Sequence, residues 1–153
     1  MNEPSGLLGQ FRVARVGEDA PASGRCLDHP HSVAAVWQDE IARASWFDPA
    51  KEHIVVFVLN IRMQLLGWNV VAIGTLDESP CHPREVLRPV IVAAGHGFVL
   101  AHNHPSGDPT PSRADELATR RLHEAAGLLQ LRFHDHVILG HGTIYSFRGS
   151  GAL

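Results

Sequence analysis

Residues 53–60, HIVVFVLN, form a nearly unbroken run of β-branched and aliphatic side chains. The run is too short for an ordinary helix and leaves no polar face for water, so it reads as a strand buried on both sides. GFVLAH (97–102) reads as another buried strand, and QLLGWNVVAIG (64–74) as one reached through a short polar connection at Asn60 to Arg62. RFHDHVILG and GTIYSFR read as a closing hairpin turned by GHG.

Between these runs the apolar period changes to that of helices. DHPHSVAAVWQDEIARASWF sets Val33, Val36, Trp37, Ile41 and Ala44 on one stripe, with Asp28 and Pro30 as its start signal. HPREVLRPVIVAAGH starts a helix with Pro83 in its first turn, and Pro89 predicts a kink or an early end. The spacing predicts a further helix over 112–129. The order helix, two strands, helix, strand, helix, two strands argues for an α/β chain whose single sheet is sandwiched by helices. Residues 1–27, rich in Gly, Ser, Ala and Pro with one short extended candidate at QFRVARV, read as an N-terminal arm, and 28–153 as one domain. No internal repeat or low-complexity segment is visible.

The 153 residues are 44% hydrophobic and 19% charged, which suits a globular domain with a real core. A formal charge of −3 gives nucleic-acid binding no electrostatic support, although it leaves a local basic patch open. The start, MNEPSGLLGQFRVARV, makes a poor signal peptide, and no apolar run approaches membrane-spanning length. With Cys26 and Cys81 alone, a disulfide framework is not expected. The default expectation is a cytoplasmic protein that binds no membrane. Oligomeric state is left open.

Histidine is over-supplied, with 11 residues against one tyrosine. His102 and His104 lie two apart at a strand end, where side chains two apart point the same way, as a metal needs. Two histidines hydrogen-bonding loop carbonyls would fit the same spacing. The following PSGDPTP is a stiff turn in which Gly107 can supply a positive φ, while Asp108 reads as solvated. Ser112 and Asp115 match a capping box, with Asp a weaker partner than the usual Glu. Asp115 also shares a helical stripe with Ala118, Leu122, Ala125 and Leu129. That stripe faces the core, where an unpaired charge is costly and a cation would remove the cost. Two histidines and a carboxylate leave tetrahedral zinc one open position, as in catalytic sites. A separate base is still wanted. Glu52, at the mouth of the first buried strand, leads over Glu40, Glu78 and Glu85. The pair Asp135 and His136 can orient the site from outside it or be structural.

The set Glu52, His102-Asn-His104, Ser112 and Asp115 resembles the JAMM (MPN+) metalloprotease signature. The longer strings KEHIVVFVLN, HPREVL, AHNHPSGDPTPSRAD, TRRL and DHVILG resemble its bacterial RadC-like branch from about Glu52 to Phe147. The resemblance implies a cytidine-deaminase-like, three-layer α/β/α fold with a mixed JAB/MPN sheet. It implies zinc on His102, His104 and Asp115, Glu52 as general acid/base, and Ser112 as a donor to the tetrahedral oxyanion. The implied activity is hydrolysis of a peptide or isopeptide amide in a peptide or protein substrate. Longer members of the branch carry a helix-hairpin-helix region, and this chain has no room for one, which leaves nucleic acid a possible partner that neither the resemblance nor the charge supports. HExxH and PCxxC motifs are absent, which removes zincins and zinc nucleobase deaminases. The competing expectation is a non-catalytic module, associated with DNA repair or binding a protein, with metal as a staple. Arg113, Arg120 and Arg121 could serve such a surface, but a staple needs neither Glu52 nor Ser112.

Overall fold

The apolar runs assemble as one sheet because none of them has a polar face. The computed structural model describes residues 24–74 and 81–153. The strands are β1 (Glu52–Leu59), β2 (Leu65–Gly74), β3 (Gly97–Asn103), β4 (Arg132–Leu139) and β5 (Ile144–Ser146). They lie in the order β2-β1-β3-β4-β5. β3 is antiparallel to β1 and parallel to β4, so the sheet is mixed.

Period-2 alternation sends β1 into two different cores. Val55, Phe57 and Leu59 pack beneath α1 (Pro30–Val36), while Ile54, Val56 and Val58 pack beneath α2 (Pro83–Val92) and α3 (Arg113–Leu128). β3 divides likewise, with Val99 and Ala101 on the first face and Phe98 and Leu100 on the second. The result is the expected three-layer α/β/α sandwich. No helix among the described residues is long and apolar enough to cross a membrane.

Local details depart from the sequence expectations. α1 is capped by His29, whose Nδ1 accepts the Ser32 backbone N–H at 3.2 Å, so Asp28 is not the cap. Beyond Val36 the helix widens into a π turn over Trp37–Ile41, closed by a bond from the Ala42 N–H to the Trp37 carbonyl. That turn keeps Trp37 and Ile41 buried and leaves Ala44 beyond the helix, half-buried. α2 runs past Pro89 to Val92 before it stops. Of the N-terminal arm, residues 1–23 and the strand candidate in them lie outside the described residues, as do Glu78 and its neighbours. The arm's last residues join the sheet edge: Cys26 bridges to Gln64, and Leu27 is buried in the α1-side core.

On α3 the buried stripe is Asp115, Thr119, Leu122 and Ala126. It is rotated from the expected set, because Ala118 and Ala125 are only half-buried and Leu129 is 51% exposed. The physical reason is Thr119, a polar residue that finds buried partners and so takes a core position.

Candidate metal centre

Three elements meet at the C-terminal end of β3. His102 is the penultimate residue of that strand and His104 lies just beyond it. The turn that follows is held against the β4–β5 connection. His104 N–H donates to the Leu139 carbonyl, Gly107 N–H to the His104 carbonyl, and His141 N–H to the Gly107 carbonyl, each at 2.9 Å. Gly107 has a φ of +84° and its missing Cβ would collide with the His141 ring. Gly107→Ala is therefore expected to cost about 1–3 kcal/mol. Urea denaturation measures the loss, and any metal affinity of the His102, His104 and Asp115 group should fall with it because the turn aims His104.

The turn delivers Ser112 as the N-cap of α3. A full capping box forms: Ser112 Oγ accepts the Asp115 N–H at 3.1 Å, and Asp115 Oδ2 accepts the Ser112 N–H at 2.7 Å and its hydroxyl at 2.8 Å. The box does not exhaust the carboxylate. Oδ2 serves the cap, while Oδ1 is buried with no hydrogen-bond partner.

The orphaned oxygen lies against His102, and the carboxylate as a whole faces both histidines. His102 Nε2 lies 3.1 Å from Asp115 Oδ1, His104 Nε2 lies 3.4 Å from Oδ2, and the two Nε2 atoms are 3.0 Å apart. One donor atom from each residue lies within 4.8 Å of the others. Ligands at tetrahedral zinc distances would stand about 3.3 Å apart, so the three residues fit the ion. His104 Nδ1 sits 2.8 Å from the Asp108 carbonyl and must donate there, so in the neutral imidazole the lone pair is on Nε2, toward the centre. Asp108 thus contributes through its backbone. Its exposed carboxylate accepts from Thr110, which lowers its pKa.

Burial pushes the Asp115 carboxyl up, but the imidazoles of His102 and His104 and the Ser112 N–H outweigh it and hold the group well below the usual carboxylate range. Asp115 in turn raises His104 above its ordinary value, with a smaller push from Glu52.

Glu52 opens β1. The β1–β3 register pairs Ile54 with His102, so by alternation Glu52 stands on the same sheet face as Ile54, His102 and His104. Asn103, between the two histidines, points the other way. Its Oδ1 accepts the His53 N–H at 2.8 Å and its Nδ2 donates to the Lys51 carbonyl at 2.9 Å. The backbone on both sides of Glu52 is thereby fastened to the metal-ligand strand. Of the other acids weighed, Glu40 is exposed on the π turn and Glu85 is ion-paired with Arg88 at 2.7 Å.

Asp135 and His136 separate across β4. Asp135 ties the C-terminal segment, accepting from the Ser146 hydroxyl and the Arg148 N–H, and burial raises its pKa. His136 is fully buried on the site face, with Nε2 2.9 Å from His102 Nδ1. Its other nitrogen lies 2.6 Å from Thr119 Oγ1. Burial first, then the neighbouring His102, pushes its pKa well below the ordinary histidine value. Asn103 and Thr119 escaped the sequence reading. The one available signal for Thr119 was its i+4 spacing from Asp115, which puts both on one helical face.

Comparison with known proteins agrees with this architecture. The description RadC-like JAB domain matches residues 27–152. A UPF0758 protein of Pelodictyon phaeoclathratiforme is 42% identical over 106 residues, covering 69% of this chain and 48% of the relative. A UPF0758 protein of Thermotoga maritima is 43% identical over 103 residues, covering 67% of this chain and 46% of the relative. The chain thus spans about half the length of the curated relatives it matches. Its own fold, its His–Asp cluster and the extent of the match agree: the chain belongs to the family of RadC-like JAB domains.

Proposed function

We propose that this domain is a zinc-dependent hydrolase of the JAMM type, a metallopeptidase or isopeptidase that cuts a peptide-like amide in a cytoplasmic protein or peptide. The observation that carries the reading is a cluster of three donors, one of them an orphaned buried carboxylate oxygen, with the free carboxylate of Glu52 on the same face. A structural zinc site uses four protein ligands. Three leave a position for chemistry, which disfavours the staple.

When bound, zinc supplies a Lewis acid that polarises a carbonyl and lets water ionise near neutral pH. The protein's own groups do the rest. His102, His104 and Asp115 hold the ion with lone pairs already aimed. Glu52 accepts a proton from the attacking water and passes it to the leaving amine. Ser112 first steadies Asp115. Its hydroxyl, on an exposed residue, then exchanges that acceptor for the developing oxyanion and donates to it.

The test is hydrolysis of proteome-derived peptides and isopeptide-linked conjugates by the zinc-loaded chain, read by mass spectrometry of new termini. Cleavage should stop on chelation and return when zinc is restored. Cleavage that survives complete metal removal, or a zinc-loaded chain inert across both substrate sets, would refute the reading.

A further inference from the structure

Four polar groups form a continuous chain behind the proposed ligands. The Thr119 hydroxyl lies 2.7 Å from the Asp115 backbone carbonyl and 2.6 Å from His136 Nδ1. His136 Nε2 lies 2.9 Å from His102 Nδ1. Thr119, His136 and His102 are all at most 3% exposed, so water does not stand in for any of these partners.

With neutral imidazoles, counting protons leaves one arrangement. A hydroxyl has a single hydrogen, and a carbonyl oxygen can only accept. The short contact to the Asp115 carbonyl is attractive only if Thr119 donates to it. The hydroxyl oxygen must then accept from His136, which places the His136 proton on Nδ1. A neutral imidazole carries one ring proton, so His136 Nε2 is an acceptor. It therefore draws a proton onto His102 Nδ1. In the neutral imidazole the lone pair is then on Nε2, which faces Asp115 Oδ1 and His104 Nε2.

We infer that Thr119 and His136 are positioning residues that set the tautomer of His102, so that its neutral imidazole turns Nε2, and not Nδ1, to the metal position as a lone pair. The inference rests on the metal reading and extends it to two residues that touch no metal. It also makes one ligand's backbone carbonyl the origin of the other ligand's polarity: the hydrogen-bond chain starts at Asp115 on α3, passes through β4 and ends at His102 on β3. Metal-bound histidines commonly give their second N–H to a carboxylate or carbonyl. Here a second histidine takes it, and that histidine can accept only because a threonine fixes its own proton.

Thr119→Val keeps the shape and removes the hydroxyl, whereas Thr119→Ser keeps the hydroxyl. The probe is zinc alone, titrated against a chromogenic chelator, with melting of the metal-free proteins as the check on folding. Loss of an outer partner typically costs about 10–100-fold in metal affinity, and Thr119→Val should fall in that range. Thr119→Ser should return to within about threefold of the parent, a margin well inside the loss quoted for outer partners. Long-range proton–nitrogen correlation spectra give the second readout: His136 should be protonated on Nδ1 in the parent and in Thr119→Ser, and mixed or reversed in Thr119→Val. Should Thr119→Val not fold, Thr119→Ala gives the same two readings. Unchanged zinc affinity with an unchanged His136 tautomer would overturn the inference, as would a serine variant no better than valine. If the parent itself bound no zinc, the metal reading would fail while the His136 tautomer still decided the hydrogen-bond chain.

Discussion

Asp115→Asn is expected to abolish tight zinc binding while leaving the start of α3 intact. The amide oxygen can still accept from the Ser112 N–H and hydroxyl, the role that Oδ2 fills in the capping box. That orientation turns the amide NH₂ toward the histidines, where Oδ1 now lies 3.1 Å from His102 Nε2. A negative acceptor becomes a neutral donor that hydrogen-bonds to the lone pair meant for the metal. Affinity should drop by well over about 100-fold, more than the loss of an outer partner brings. Thermal melting provides a second measure. Zinc at a hundredfold excess over its Kd should stabilise the parent by about 2.7 kcal/mol. For a chain of this size that is a rise of about 5–10 °C. The variant should show no rise, and an equal one would remove Asp115 from the ligand set.

The second large effect is expected at Glu52, with the opposite pattern. Glu52→Gln preserves size and position, because β1 is held at both neighbouring residues by Asn103 rather than by the Glu52 side chain. Zinc affinity and the zinc-induced rise in Tm should stay near the parent values. Turnover should fall about 10²- to 10⁴-fold, the usual contribution of a positioned acid or base. The fall should appear in kcat, since the role proposed for Glu52 is to move protons in the chemical step and not to bind substrate. A variant that turns over at the parent rate would place the base elsewhere. One that loses zinc would make Glu52 a ligand.

Much of this architecture was legible because the central strands carry their own instructions. At 53–60 and 97–102 nearly every position is apolar, and a strand with no solvent face can only be interior. The metal cluster was legible for a related reason: its three residues lie within one strand–turn–helix unit, where local periodicities place side chains. Ser112 and Asp115 could be assigned to a cap from spacing alone. What escaped the reading depends on contacts between distant segments. Asn103 looks like a spacer until β1 is known to lie antiparallel beside it. Thr119 looks like a surface position until His136 arrives from β4 to take its hydroxyl. The buried stripe of α3 was misplaced for that same reason. Asp135 and His136, adjacent in sequence, fall on opposite sheet faces, and only the register of β4 against β3 shows which one joins the site.

The spread of the site along the chain bears on the order in which it can be assembled. His102, His104 and Asp115 are separated by a short loop, whose closure costs little entropy, whereas Glu52 and His136 come from segments 50 and 34 residues from the strand they meet. A nascent β3–α3 unit can gather the three metal donors while β1 and β4 are still undocked. On the proposed reading, capture of the ion would then precede the arrival of Glu52 and of the groups behind His102. The chain would hold its metal before it holds its chemistry, and the hydrolytic centre would stay silent until the whole sheet has closed.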